Sequence, residues 1–142
     1  MGDIAFIAIA NGVKEKISNT FPDIEVYIDG NPEGAERPFF IVKIIRGEQT
    51  HQLHRKYKRT CSLQIKYVAE DVLTAGYHHI AEQLYGLLEL AVVDREVFRG
   101  SEMFHEVIEG VLQFYVKYSY QIIKETLPGT KMQNLEQGEY IK

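Results

Sequence analysis

The stretch YKRTCSLQIKYV, residues 57–68, alternates: Tyr57, Cys61, Leu63, Ile65 and Tyr67 fall on one side, and Lys58, Thr60, Ser62, Gln64 and Lys66 on the other. A side-chain period of two is the mark of a β-strand with one buried and one wet face. Arg59 breaks the inward phase, which places it near where the strand leaves the sheet. The same period runs through VLQFYVKYSYQII, residues 111–123, where Leu112, Phe114, Val116, Tyr118, Tyr120 and Ile122 oppose Gln113, Tyr115, Lys117, Ser119 and Gln121. Long half-apolar strands of this kind belong to antiparallel sheets that face water on one side.

Around these two strands the rest of the chain finds its place. PFFIVKIIRG (38–47) is apolar on both faces, as a central strand is, and EVYID (25–29) is a short strand stopped by Gly30-Asn31-Pro32. Residues 46–56 then form the tip of a long hairpin, with Gly47 near its turn. VFRGSEMFHEVI (97–108) turns at Glu109-Gly110 into the last strand, after a short apolar step, Ala91-Val92-Val93.

Residues 3–20 place Ile4, Ile7, Ala10, Val13 and Ile17 at helical spacing and end at Phe21-Pro22, because the residue before proline is driven out of the α region. Residues 71–90 repeat the pattern with Leu73, Tyr77, Ile80, Leu84, Leu87 and Ala91, with Asp71 as N-cap. Gly76 and Gly86 inside this second helix imply close packing on the sheet.

The order α-β-β-β-α-β-β, with hairpins in place of βαβ crossovers, predicts an α+β fold: an antiparallel sheet with long hairpins, packed by two helices on one face. Residues 1–125 read as a single domain. Residues 126–142 lose periodicity and read as a flexible tail, or as an arm that orders on a neighbour.

The 142 residues are 45% hydrophobic and 25% charged, ordinary values for a chain that buries a core. No run of about 18 apolar residues is long enough to span a bilayer. MGDIAFIAIANGV at the start carries Asp3 and no basic segment, so it does not read as a secretory signal. The single cysteine, Cys61, excludes an intramolecular disulfide framework and suits a reducing cytosol.

Charge is concentrated. Net charge is −4, yet from Lys43 to Arg59 six Lys/Arg face one acid, Glu48, leaving ten basic and nineteen acidic residues elsewhere. HRKYKR (54–59) is the densest part of this strip. Three readings are open: a charged hairpin tip that keeps a strand pair soluble, a strip that docks on a protein, or a nucleic-acid-binding strip. The acidic bulk opposes a polyanion, which favours docking and leaves a nucleic-acid-binding accessory domain using residues 51–59 as the alternative.

Other chemistry is sparse. His51 and His54 differ by three, which sets them on opposite faces of a strand, and the adjacent His78 and His79 diverge by about 100° on a helix. Cys61 lies in the apolar phase and reads as a small buried hydrophobe. Glu102, Glu106 and Glu109 read as a solvated edge. There is no phosphate-cradling or nucleophile-elbow motif, so the expectation is a non-enzyme with no metal and no cofactor.

Two segments, RKYKRTCSLQIKYV (55–68) and FRGSEMFHEVIEGVLQFYVKYSY (98–120), resemble the tail terminator, or tail-completion, proteins of tailed phages and Gram-positive prophages. AEQLYGLLELAVVDREVFRG (81–100), FPDIEVY (21–27) and PFFIVKI (38–44) fit that layout, and the resemblance covers about residues 3–123. It implies a structural virion protein, assembled in the bacterial cytoplasm, that forms a hexameric ring on the head-proximal end of the tail tube. There it would stop tube polymerisation and present a surface to the head connector, while DNA passes through without specific binding. A ring needs head-to-tail contacts between two different patches, and a basic hairpin with an acidic surface elsewhere supplies such a pair. The candidate interface residues are Arg55, Lys56, Lys58 and Arg59, with Arg46 and Arg99 as secondary ones.

Overall fold

The computed structural model describes residues 4–30, 34, 36–70 and 74–124. They form α1 (Phe6–Thr20), β1 (Glu25–Ile28), β2 (Phe39–His51), β3 (Lys56–Val68), α2 (Thr74–Leu87), β4 (Leu90–Val93), β5 (Glu96–Ile108) and β6 (Val111–Ile123). The six strands make one sheet in the order β1-β2-β3-β6-β5-β4, so the fold is α+β and mostly antiparallel. Asp71 and residues 126–142, for which a cap and a tail are expected, lie outside the described residues.

The alternation at the centre holds. β3 buries Cys61, Leu63, Ile65 and Tyr67; β6 buries Leu112, Phe114, Val116, Tyr118 and Ile122. These meet Ile9, Val13 and Ile17 of α1 and Tyr77, Ala81 and Leu84 of α2 in a single core, which puts both helices on one face of the sheet. The opposite face carries polar pairs: Thr60 to Ser119 at 3.0 Å, Gln64 to Gln113 at 3.0 Å and Gln121 to Gln52 at 2.9 Å. Cross-strand pairs of this kind help hold the register of the exposed face.

Several elements depart from the sequence pattern. The step at Ala91 is a true strand, β4, joined to β5 by a tight turn in which Asp94 and Arg95 both have positive φ. Glu109 and Gly110 make the same turn between β5 and β6, the geometry whose twist suits a two-residue hairpin. β1 pairs with β2 in parallel, not antiparallel, and ten residues rather than a tight turn separate the two strands.

The turn of the long hairpin is Gln52–Arg55, not Gly47, which pairs with Cys61 well inside the ladder. Glycine there leaves room for the Phe6 ring, which a Cβ would approach to 2.7 Å. Arg59 does not mark an exit from the sheet; it pairs with both Gln49 and Tyr120 and turns inward.

In α1 the buried stripe runs through Ile9, Val13 and Ile17, while Ile7, two residues and about 200° from Ile9, is 50% exposed. In α2 the helix stops at Leu87, and a Cβ on Gly86 would meet nothing within 4 Å, so that glycine does not serve close packing. Gly100 does. A Cβ there would come 2.6 Å from the Leu88 carbonyl oxygen, and the Gly100 amide donates to Glu89 O at 2.7 Å.

Candidate functional site

The basic strip is the closed end of the β2–β3 hairpin. Gln52 N donates to Lys56 O at 2.9 Å and Lys56 N to Leu53 O at 3.0 Å, with His54 in the left-handed region. The tip is tied to the end of β6, since Lys124 N donates to Arg55 O at 2.9 Å. On its inner side His51 stacks on Tyr57 with centroids 4.5 Å apart, and Lys124 Nζ sits 4.6 Å from the Tyr57 ring centre. The tip is therefore pinned by short-range contacts at each strand end and projects Leu53, 65% exposed, between charged residues.

The structure brings three of the six candidate cations together and separates the others. Arg55, Lys56 and Lys58 are exposed at the tip, and among the described residues their side chains make no ion pair. Arg46 lies further along β2, opposite Ser62, and pairs with Glu48 at 3.0 Å. Arg99 lies on β5 and pairs with Glu89 at 3.7 Å. Arg59 serves the fold: its guanidinium stands 3.9 Å over the Phe6 ring and donates to Ile4 O at 3.1 Å.

One polar cluster escaped the sequence. His78 Nδ1 and His105 Nε2 are 2.8 Å apart, and His105 Nδ1 is 2.8 Å from the Tyr85 hydroxyl, a chain linking α2 to β5. The seven-residue spacing of His78 and Tyr85 puts them on one helix face, which was legible; His105, in a strand 20 residues beyond Tyr85, was not. Among the described residues no group of three or more His, Cys, Asp or Glu is arranged to hold a metal ion. The Cys61 thiol is fully buried, and burial pushes its pKa up to about 11 while Arg59 pulls the other way. Burial likewise raises the Tyr118 hydroxyl far above the usual tyrosine range.

An exposed cationic tip of this kind is suited to contact with another molecule. A family model described as phage tail terminator protein matches residues 8–130 of the sequence. The chain belongs to the phage tail terminator family.

Phage tail terminators are structural proteins that complete the tail, and this one is accordingly a structural component of the virion tail that associates with tail and head parts. No curated protein matches it. One solved structure aligns over 88% of this terminator and 99% of its own length, with 11% identity and a TM-score of 0.44.

Proposed function

We propose that this tail terminator assembles as a hexameric ring on the head-proximal end of the tail tube, in the cytoplasm of a Gram-positive host. The ring ends tube polymerisation and presents its far side to the head connector. The observation that carries the reading, beside the family match, is the hairpin tip. Arg55, Lys56 and Lys58 stand exposed and unpaired among the described residues of a chain whose net charge is −4. Free cations on an acidic body seek acidic protein surface, and the same acidic bulk keeps passing DNA from sticking.

Electron microscopy of tails carrying a labelled copy tests this. A ring of about six copies at one end of each tail is expected, and the triple variant Arg55→Ala, Lys56→Ala, Lys58→Ala should give overlong tails that lack heads. Labelled protein absent from tail ends would overturn the reading. Tight duplex binding at physiological salt, with a steep salt slope that the triple variant loses, would favour the nucleic-acid alternative instead.

A further inference from the structure

Among the described residues the sheet has four stretches of outer edge, and they are not treated alike. β4 is sealed by α1: Lys16 Nζ donates to Leu90 O, and Gly12 lets the helix come so near that a Cβ would stand 3.0 Å from Val92 O. β1 is only four residues long and is followed at once by Asp29, which has positive φ. Short or covered edges are how sheets avoid joining other chains.

Among the described residues, the other two stretches have no such protection. β1 covers only Phe39–Val42 of β2, and β4 only Glu96–Arg99 of β5. Among the described residues, Lys43–His51 and Ser101–Ile108 therefore have no strand on their outer side. Each begins at an irregularity, at Ile44/Arg46 and at Ser101/Phe104, and then runs regularly as Arg46–His51 and Phe104–Ile108. Each also shows apolar side chains to water: Ile45 on the first, Phe104 and Ile108 on the second.

We infer that these two half-edges are the joint of the assembly: Lys43–His51 of one copy adds as a strand to Ser101–Ile108 of the next. This rests on the ring reading above and names the surfaces that make it. Charge selects the pairing. The β2 half-edge carries Lys43 and Arg46 against Glu48 and leads into Arg55, Lys56 and Lys58; residues 101–109 carry Glu102, Glu106 and Glu109 and no Lys or Arg. Like edges repel and unlike edges attract, so a two-fold dimer is disfavoured and a head-to-tail join is favoured.

Direction agrees. β2 and β5 run oppositely within the sheet, so copies set side by side in one orientation meet antiparallel. The first half-edge lies toward the β2–β3 turn and the second toward the β5–β6 turn, at opposite ends of the sheet. The join thus staggers neighbours along the strands, and a closed wall absorbs stagger by tilting its strands to the axis. A groove of about 280 Å³ between Ile45 and Phe104, floored by Ser62 and Tyr115, crosses the open face between the two joints.

Hydrogen exchange of backbone amides reads this directly, comparing the full chain assembled on tails with the unassembled full chain. Exchange at least about tenfold slower in both 43–51 and 101–108 on assembly is expected. Slowing in only one stretch, or in neither, overturns the joint. Glu106→Lys should block assembly and supply the unassembled reference, and Lys43→Glu should restore it in part. Equal assembly of Glu106→Lys and the native chain would also overturn the joint. Rings with unchanged exchange at both half-edges defeat this inference alone; tails with no copy at their ends defeat the ring reading with it.

Discussion

Arg59 holds its guanidinium 3.9 Å above the Phe6 ring and donates to Ile4 O at 3.1 Å, so a cation from the basic strip is spent on fixing the start of α1. Tyr120 Oη donates to the same carbonyl at 2.7 Å. Arg59→Ala should therefore lower stability by about 1–2 kcal/mol, through the lost cation–π contact and a weakened carbonyl partner. Arg55→Ala, on the exposed turn, should stay within about 0.5 kcal/mol of the native protein. Thermal melting of the two variants side by side checks the division; equal effects would refute it.

Gly100 and Gly86 should respond to alanine with opposite signs. At Gly100 the new methyl meets the Leu88 carbonyl oxygen and Val116, neither able to yield without moving backbone or core, and about 2–3 kcal/mol should be lost. At Gly86, exposed near the end of α2 with open space around it, alanine should add about 0.5–1 kcal/mol from helix propensity and a stiffer unfolded chain. Urea midpoints measure both.

The Tyr118 hydroxyl, buried at the core, donates to Leu88 O at 2.6 Å and joins β6 to the end of α2. Tyr118→Phe leaves that carbonyl without this partner and should cost about 1–2 kcal/mol. A loss well below half of that in denaturant titration would mean water replaces the hydroxyl.

Alkaline stability follows from Cys61 and Tyr118. Burial raises both pKa values, so the folded state keeps its protons where the unfolded chain has released them. The stabilisation is complete below about pH 9 and declines as pH rises toward the Cys61 value of about 11, with the Tyr118 contribution fading at higher pH still. Melting temperature should be level to about pH 9 and then fall. Cys61→Ala should flatten the first part of that fall, and the native thiol should react with a disulfide reagent at pH 8 only on unfolding.

Tail attachment should weaken with salt when the hairpin tip makes the contact, because exposed cations are screened beyond about 10 Å at 0.1 M. Removing Arg55, Lys56 and Lys58 should weaken attachment at low salt and leave little further salt dependence. Pull-down on purified tails at graded salt measures this, and identical slopes for native and variant protein would remove the tip from the interface.

How much of this was in the sequence depends on the range of the interaction. Strands β3 and β6 were legible because alternation is a local consequence of a pleated backbone with one buried face, and the Glu109-Gly110 turn because it needs residues that tolerate positive φ. The family was legible too, since hairpin patterning persists along the chain over residues 55–68 and 98–120. Three features were not. Arg59 looked like a phase error because its aromatic partner lies 53 residues upstream; Gly47 looked like a turn because nothing local says that Phe6 lies across it. His105 meets His78 and Tyr85 only because α2 packs beside β5. The sequence by itself determined the two helices, the long central strands, the wet face of the sheet and the cationic tip, all set by neighbours a few positions apart. Tertiary structure decided, among the described residues, which cations are exposed without an ion pair and which strand edges lack a neighbouring strand, since both depend on what packing over long separations has already covered.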